Sequence, residues 1–292
     1  MAAGDAAHEF RCVAIVGLGL IGGSLALALR RLPDPPRIVA TSADSADLER
    51  ALADGIVDSA AADPASAVGE ADLVVYATPV SVTLELLAST RSRIRDGAVV
   101  TDVGSVKRSV VSRARAVGLG ARFVGGHPLA GSHRSGFAAA RADLYDGARV
   151  WLTPPEGGRT QDGEETRALE RVAALWRSVG AEPAVIGAEE HDRLMAWASH
   201  LPQLAASALA TALARGGIAP ADLGPGGADT TRIAASPPSL WADILRHNAD
   251  YLRRPLESLQ GALAHFAAAL ERGDREALER LLAVASAWRS EE

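Results

Sequence analysis

Residues 13–22 read Val-Ala-Ile-Val-Gly-Leu-Gly-Leu-Ile-Gly, and this stretch decides the fold of the first half of the chain. Its apolar beginning predicts a buried strand, and glycines then follow at the spacing Gly-x-Gly-x-x-Gly. In that setting the glycines permit a tight turn, close approach of the backbone to a pyrophosphate, and close packing of the next helix. The stretch therefore predicts a dinucleotide-binding Rossmann domain. The residues predicted to contact the cofactor here are Gly17, Leu18, Gly19, Leu20, Ile21 and Gly22.

Beyond this stretch, short β-branched runs alternate with helical stretches as far as residue 187. Further strands are predicted at residues 37–41, 73–77, 98–102, 121–124, 148–152 and 184–186. Helices are predicted near residues 22–32, 47–54, 105–118 and 164–178, with a cluster of proline and glycine at 154–158. Such alternation is typical of a doubly wound parallel sheet with helices on both faces. We therefore predict an α/β domain over residues 1–187 that binds NAD or NADP.

From residue 189 the hydrophobic period changes to that of helices alone. Helices are predicted over residues 189–215, 239–253, 255–272 and 275–290. Residues 218–227 are rich in glycine and proline, so we predict a loop there that continues into the polar run 229–232. Residues 188–292 are expected to form an all-α domain for substrate binding and dimerisation. Its Ala- and Leu-rich faces are too extensive for one small domain to cover by itself.

The composition argues against several classes of partner. A formal net charge of −6 gives no general attraction to nucleic acid or to anionic membrane surfaces. No apolar run approaches the roughly twenty residues of a membrane helix, and the first ten residues lack the apolar core of a signal peptide. A cytoplasmic protein with a small-molecule ligand is therefore expected. The single cysteine, Cys12, is interpreted as a packing residue, and no metal site is predicted.

Polar residues stand where the second and third strands end. An acid usually closes the second strand of an NAD-binding domain to bind the ribose, but this chain has Ser42 there, followed by Ala43 and Asp44. No carboxylate at that position repels a 2′-phosphate and no arginine follows to attract one, so NAD and NADP both remain open. Thr78 and Pro79 end the third strand and either contact the cofactor or form a plain turn.

Two later segments carry candidate catalytic residues. Residues 101–107 read Thr-Asp-Val-Gly-Ser-Val-Lys, in which Ser105 either caps the next helix or faces the nicotinamide. His127 stands in Gly-Gly-His-Pro, predicted as a turn just past a strand at the edge of the sheet. A histidine held there is well placed for proton transfer. Lys107 is the chain's only lysine.

The helical half carries candidate substrate-binding residues. His200, Gln203 and Ser207 share one helix face, which is either a polar stripe between helices or part of a site. Arg232 lies in the polar run between apolar helices; a surface arginine is the plain interpretation, although that position also suits a functional residue. Taken alone, Trp241 is interpreted as a core residue.

Together these residues resemble the prephenate and arogenate dehydrogenases of tyrosine biosynthesis. The shared motifs follow the family's order and lie at residues 16–24, 101–107, 126–131, 191–192, 199–202 and 230–234, with Trp241. The first motif is generic, whereas the later ones together are specific. The resemblance implies a homodimer with interlocked helical domains. It also implies oxidative decarboxylation: hydride leaves ring carbon C4 for the nicotinamide, the C4 hydroxyl loses its proton, and the ring carboxylate departs as CO2.

The resemblance also implies roles for individual residues. His127 matches the base at the C4 hydroxyl, and Ser105 matches the hydroxyl that orients this base and the nicotinamide. Arg232 would bind a substrate carboxylate, and Trp241 would wall the ring pocket.

The family's Ser-His-Leu-Pro-His motif is altered in this chain. His200 is retained, but Gln203 replaces the second, substrate-facing histidine. A neutral amide can still donate to a carboxylate, so both residues are predicted to bind substrate. His191 and Asp192 are interpreted as structural residues at the start of a helix.

Alternatives differ in substrate and in class. Residues 131–136 carry no carboxylate for an ammonium group, which favours prephenate, while an arogenate or cyclohexadienyl dehydrogenase is the alternative. Enzymes resembling 3-hydroxyisobutyrate dehydrogenase use a lysine of the second domain, and this second half contains none. A non-catalytic, dinucleotide-sensing dimer is a further alternative.

Overall fold

The computed structural model describes residues 9–132, 134–154 and 163–290. Most of the predicted proline and glycine cluster at 154–158 lies outside the described residues. The strands are β1 Cys12–Val16, β2 Arg37–Thr41, β3 Ser59–Ala60, β4 Leu73–Tyr76, β5 Val99–Asp102, β6 Phe123–Pro128, β7 Arg149–Thr153 and β8 Glu182–Val185. The helices of the first half are α1 Leu20–Arg30, α2 Ser45–Ala53, α3 Pro64–Val68, α4 Val80–Ser89, α5 Arg108–Ala116 and α6 Glu164–Ser178.

The strands form one sheet in the order β3-β2-β1-β4-β5-β6-β7-β8. The order reverses between β1 and β4, which is the switch point of a doubly wound sheet and the usual place for a ligand. The α/β fold predicted from the sequence is therefore confirmed. The sequence prediction missed the short elements β3 and α3, and also α4, which begins directly after the third predicted strand.

One pair of strands departs from the predicted parallel sheet, since β6 and β7 are antiparallel. Adjacent parallel strands need a crossover connection, usually a helix, that returns the chain to the end of the sheet where the previous strand began. In the described part of the connection between β6 and β7, the one helical element is the short 3-10 helix Phe137–Ala139. Strand β7 therefore runs back beside β6, and β8 then pairs with it in parallel.

The alternation of side chains along β1 explains why helices cover both faces. Val13 and Ile15 belong to one buried cluster, together with Trp176 of α6. Ala14 and Val16 belong to a second cluster on the opposite face, against α3, α4 and α5. Successive residues of a strand point to opposite faces, so a strand that is apolar throughout is buried on both.

The helical half comprises six α-helices within the described residues. They are α7 Ala188–Met195, α8 Leu201–Arg215, α9 Pro225–Thr231, α10 Pro238–His247, α11 Ala249–Glu271 and α12 Arg275–Arg289. The single helix predicted over residues 189–215 is instead α7 and α8 joined by a π-helical turn, Ala196–His200. Pro202 stands in the first turn of α8 and has no backbone N–H to continue α-helical bonding across the junction.

Two further sequence predictions of this half were wrong. The segment predicted as a loop over 218–227 contains a 3-10 turn, Pro220–Asp222, and the start of α9. Pro225 fits the first turn of α9 because a proline there loses no helical hydrogen bond. Arg232 therefore lies at the C-terminal end of a helix, in the 3-10 turn Arg232–Ala235.

The break predicted before Pro255 lies seven residues earlier, at Asn248, while Pro255 is buried inside α11. Asn248 has a non-helical backbone, and its side-chain amide donates to the carbonyl of Asp192. This buried tie to α7 decides where α10 ends, so the break follows a tertiary contact rather than the local position of a proline.

Candidate active site

A cleft of about 820 Å³ lies between the carboxyl ends of the central strands and the helical half. The first half contributes Gly19, Thr78 and Ser105 to its lining, among others. The helical half contributes Gln203, Arg232 and Trp241. The structure thus brings together, in one cleft, residues as far apart in sequence as Gly19 and Ile244.

The glycine turn after β1 is shaped for close approach of a ligand. Gly17 has φ +103°, and a side chain there would collide with the carbonyl of Ala77. A side chain on Gly22 would collide with the carbonyl of Gly17, so α1 can pack closely on the strand only with glycine there. Gly19, by contrast, faces open space. The open side is where a pyrophosphate can meet the N-terminus of α1.

The other predicted cofactor residues of this turn divide into two groups. Leu20 and Ile21 line the cleft. The side chain of Leu18 is 1% exposed and packs in the core, so only its backbone is available to a cofactor. The prediction of Leu18 as a contact residue is therefore restricted to its main chain.

Of the predicted cofactor residues at the ends of β2 and β4, Thr78 and Pro79 lie in the cleft lining and Ser42 does not. Thr78 and Pro79 line the cleft, and the hydroxyl of Thr78 pairs with that of Thr83 at 2.8 Å. The hydroxyl of half-buried Ser42 accepts from the backbone N–H of Asp44. One carboxylate oxygen of Asp44 accepts from the N–H of Ala46, which caps α2. Asp44 is therefore engaged as a helix cap.

His127 lies inside β6, not on a turn beyond it as predicted from the sequence. Its backbone pairs with Trp151 of β7, and the residue is 7% exposed. The two glycines before it suggested a turn, but they are required by crowding: side chains at Gly125 and Gly126 would collide with Thr153 and Asp102 respectively. The catalytic candidate is therefore held by a strand.

His127 is the first member of a buried hydrogen-bond chain that continues into the helical half. Its Nδ1 lies 2.8 Å from Nε2 of His191, and Nδ1 of His191 lies 2.8 Å from Oδ1 of Asp192. The sequence reasoning placed His191 and Asp192 at the start of a helix as structural residues. The structure places them instead in this hydrogen-bond chain. No local sequence pattern reveals the contact between His127 and His191, because β6 and α7 are far apart in sequence.

This hydrogen-bond chain determines which nitrogen of His127 carries a proton. A carboxylate only accepts, so Nδ1 of His191 carries hydrogen and Nε2 of neutral His191 accepts from Nδ1 of His127. The lone pair of His127 is then on Nε2, which has no hydrogen-bond partner among the described residues. His127 is thereby prepared to accept a proton through Nε2.

The electrostatic surroundings keep these imidazoles neutral. Burial, followed by the neighbouring His191 and Lys107, lowers the pKa of His127 well below its ordinary value. Burial also lowers the pKa of His191, although its bond to Asp192 opposes the effect. A neutral imidazole at neutral pH is the form that can act as a base.

Asp192 has a second role at the N-terminus of α5. Its carboxylate accepts from the backbone N–H groups of Lys107 and Arg108, at 2.8 and 2.9 Å. This helix begins at Arg108, so the alternative that Ser105 caps it is wrong. Ser105 lines the cleft, and its hydroxyl forms no hydrogen bond within the described part of the chain. The hydroxyl is therefore free to face a ligand.

Lys107 is fully buried and fixes the backbone next to His127. Its ammonium group forms an ion pair with Asp102 and donates to the carbonyl of Gly126 at 2.6 Å. Asp102 in turn accepts from the N–H of Gly126. Both backbone polar groups of Gly126, the residue before His127, are thus held by this buried pair.

The predicted substrate residues of the helical half do not all reach the cleft. His200 is fully buried and does not line it; Nδ1 of His200 lies 3.0 Å from the amide of Asn248, and its ring packs edge-on against Trp241. Burial lowers the pKa of His200 to about 4, so it stays neutral. The prediction that His200 contacts substrate is replaced by a supporting position beside Trp241.

Gln203, Arg232 and Trp241 do line the cleft. Arg232 is exposed and forms no ion pair within the described ranges, which leaves its guanidinium available to an anion. The amide nitrogen of Gln203 donates to the carbonyl of Ile233 at 2.9 Å. The expectation that this amide donates to a substrate carboxylate therefore does not fit its position.

Helix α10, which carries Trp241, is tied directly to the first half. The backbone N–H and hydroxyl of Ser81 at the start of α4 both donate to the carboxylate of Asp243. The hydroxyl of Ser81 also lies 3.1 Å from Nε2 of His247. These bonds fix the wall of the cleft that bears Trp241 relative to the sheet.

A metal-binding group and a membrane-spanning helix are both absent from the described residues. No group of three or more His, Cys, Asp or Glu side chains among them could hold a metal ion. No helix in residues 9–290, gaps apart, is long and apolar enough to cross a membrane.

Comparison with known families and structures agrees with this arrangement. Residues 25–185 match the family described as prephenate dehydrogenase, nucleotide-binding domain, and residues 187–284 match prephenate dehydrogenase, dimerization domain. The chain is 36% identical to the prephenate dehydrogenase of Bacillus subtilis (strain 168), over 95% of this chain and 75% of that protein.

Two solved structures are also similar. One is the prephenate dehydrogenase from A. aeolicus in complex with hydroxyphenyl propionate and NAD+, with a TM-score of 0.83 and 31% identity over 97% of this chain and 98% of that one. The other is Synechocystis arogenate dehydrogenase, with a TM-score of 0.75 and 28% identity over 95% and 98% of the two chains. On its sequence, its fold and the residues of its cleft, the chain belongs to the prephenate dehydrogenase family.

Proposed function

We propose that the chain catalyses the oxidative decarboxylation of prephenate to 4-hydroxyphenylpyruvate, with NAD+ as hydride acceptor. One observation carries the proposal. Hydrogen bonds run from Asp192 through His191 to His127, and they leave a neutral imidazole of His127 whose Nε2 has no hydrogen-bond partner among the described residues. A protein that only senses dinucleotide has no need of such a base. The relatives named prephenate dehydrogenase support the choice of substrate.

The residues present fit a dinucleotide. The glycine turn offers an open face at Gly19, and Leu20 and Ile21 bring the N-terminus of α1 to the cleft. Thr78 and Pro79 would cover the cofactor from the end of β4. When bound, the nicotinamide supplies the hydride acceptor.

The protein's own part of the reaction is to bind, orient and deprotonate. Nε2 of His127 takes the proton of the C4 hydroxyl as hydride leaves C4, and the ring becomes aromatic when its carboxylate departs as CO2. The ring oxygen then takes a proton back, which gives the phenol of the product. Ser105 offers an uncommitted hydroxyl in the cleft to orient the reacting groups. Arg232 binds the carboxylate of the substrate side chain, and Trp241 forms a wall for the ring.

Three finer assignments belong to the same proposal. NADP is accepted beside NAD, because Ser42 presents no carboxylate to repel a 2′-phosphate. The division into functional domains falls at residues 187 and 188, between β8 and α7. The protein acts as a homodimer through its helical half, in keeping with the dimerization-domain match.

The test is an absorbance assay of reduced cofactor that crosses prephenate and arogenate with NAD+ and NADP+. Formation of NADH, 4-hydroxyphenylpyruvate and CO2 in equal amounts from prephenate is the expected result. Tight NAD binding with no turnover of either substrate would instead point to the dinucleotide-sensing alternative.

A further inference from the structure

The segment that follows β6 packs against the helix that begins at the glycine turn. The ring of Phe137 lies so close to α1 that a side chain at Gly23 would collide with it. The backbone N–H of Phe137 donates to the carboxylate of Asp47, in the first turn of α2, at 2.9 Å. Farther along the segment, the N–H of Arg141 donates to the hydroxyl of Ser24 at 3.0 Å. The segment is therefore fixed against the N-terminal parts of α1 and α2.

Arg134 is the cationic side chain that this segment brings to the cleft. It is exposed, lines the cleft together with Gly19 and Leu20, and forms no ion pair within the described residues. It also lines an adjoining cavity of about 390 Å³, again together with Leu20, the first residue of α1. The two cavities that Arg134 shares with Leu20 place its side chain close to the N-terminus of α1.

The charges at this place favour an anionic ligand. The N-terminus of a helix carries partial positive charge and N–H groups without helical partners. The first turn of α1 contains no acidic residue, and Gly19 before it provides no side-chain cap. A guanidinium beside such a helix end is repelled by it, so the arrangement becomes favourable when a ligand brings negative charge. A pyrophosphate suits both groups, because a guanidinium can donate to two of its oxygens at once.

Resting on the dinucleotide site of the proposed function, we propose that Arg134 is a cofactor-binding residue whose guanidinium holds the pyrophosphate at the N-terminus of α1. Ser42, where the ribose would be read, lines neither cavity, which argues against the 2′-phosphate of NADP as the partner of Arg134. Arg232 lines the cleft but not the adjoining cavity, and it remains the cation for the substrate carboxylate. The contact therefore serves NAD and NADP alike, since both contain the same pyrophosphate.

The test is a calorimetric titration of the enzyme with NADH and with NADPH, in the absence of substrate. Arg134→Gln removes the charge, and should raise both dissociation constants by the same factor of about ten, the value of one hydrogen bond to a charged group. Arg134→Lys keeps the charge but loses the paired donors, and should raise both by only about threefold. Added salt should weaken NADH binding more steeply in the wild type than in Arg134→Gln, because salt screens a contact between exposed charges.

Arg141→Gln is the matched control. It removes the same charge from the same segment, but Arg141 lies outside the cleft lining and forms an ion pair with Asp143 at 3.6 Å. The bond to Ser24 uses the backbone of Arg141 and is retained. Both dissociation constants of this variant should equal those of the wild type. The melting temperature of Arg134→Gln should also be unchanged, because the side chain of Arg134 is exposed.

Several results would overturn the inference. A loss of affinity for NADPH alone would assign Arg134 to the 2′-phosphate. Unchanged NADH binding with a raised KM for prephenate would assign it to the substrate. Equal losses in Arg134→Gln and Arg141→Gln would show an effect of net charge only. A wild type that binds NADH through Arg134 but does not oxidise prephenate would instead overturn the proposed function and leave this inference standing.

Discussion

The two halves of the molecule differ in how completely their cores are buried and in whether backbone or side chains line the cleft. In the first half, the central strands are buried on both faces, and the ligand turn is formed mainly by backbone and glycine. The helical half contributes side chains to the cleft, but its own core is thin. Of the fifteen exposed large apolar residues in the described part of the chain, eleven lie beyond residue 187.

This difference separates the functions of the halves. Backbone at the edge of a rigid sheet can hold a cofactor that is the same in many enzymes, whereas side chains on helices can adapt to one substrate. The hydrogen-bond chain from Asp192 to His127 is where the halves meet, because the helical half there prepares a base that the sheet carries. Changes in each half should therefore alter different measured quantities.

The largest effect is expected in the first half, at the base. His127→Asn should lower kcat by roughly a hundredfold or more, the usual range for loss of a general base, while NAD binding is retained. Steady-state kinetics measure kcat, and a separate titration measures the affinity for NAD. Near-normal turnover in this variant would remove His127 from the mechanism.

The next effect tests the link between the halves. Asp192→Asn removes the charge and leaves one acceptor oxygen, which cannot serve both Nδ1 of His191 and the N–H of Arg108, because these bond to different oxygens in the wild type. The tautomer of His191 that accepts from His127 is then no longer stabilised by a carboxylate, and Nε2 of His127 is a poorer base. We expect kcat to fall about tenfold or more with KM for prephenate little changed. Equal changes in kcat and KM with a lowered melting temperature would indicate a structural role only.

The wild type also has an expected pH dependence. Because the pKa of His127 is lowered from 6.5, its base form persists as pH falls, and activity is lost only as pH passes below that lowered pKa. The acid limb of kcat/KM should therefore lie below pH 6.5. An acid limb above that value would contradict the environment described for His127.

Arg232 of the helical half should affect binding more than chemistry. Arg232→Ala is expected to raise the KM for prephenate about tenfold with a smaller change in kcat, because a carboxylate clamp binds ground and transition states alike. The KM for NAD serves as the internal control. An unchanged KM for prephenate would show that Arg232 does not bind the substrate.

The exposed apolar face of the helical half should be covered by a second copy. Val284 and Trp288 of α12 are 72% and 73% exposed and lie on one face of the helix. Light scattering should give twice the 30.2 kDa chain mass, and the double change Val284→Glu with Trp288→Glu should give a monomer. Ser286→Glu, on the opposite side of α12, is the control for charge alone. A wild-type monomer at low micromolar concentration would refute the assembly.

The sequence predicted the first half well because its signals are local. The glycine turn, the apolar strands and the length of α6, Glu164–Ser178, follow from residues close together in the chain. Contacts between distant segments were not predictable in this way. His191 was read as structural, and His200 as substrate-facing, because helical periodicity gives a shared face but not the partner packed against it. The break at Asn248 has the same origin.

The smallest expected effect concerns the cofactor, which the first half alone should control. Ser42 stands where an acid would accept the ribose hydroxyls, and the carboxylate of Asp44 is engaged as the cap of α2. The wild type should therefore use NAD and NADP with efficiencies within about a hundredfold of each other, since only a few hydrogen bonds distinguish them. Ser42→Asp should shift the ratio of kcat/KM values towards NAD by about fivefold, because a carboxylate there accepts from the ribose and repels a 2′-phosphate.

Ser42→Asn, which has the same size as Ser42→Asp without the charge, is the matched control. The KM for prephenate should stay unchanged in both variants, as expected if the halves act separately. If the wild type rejects NADP and Ser42→Asp changes nothing, another residue reads the ribose, and the assignment of Ser42 fails.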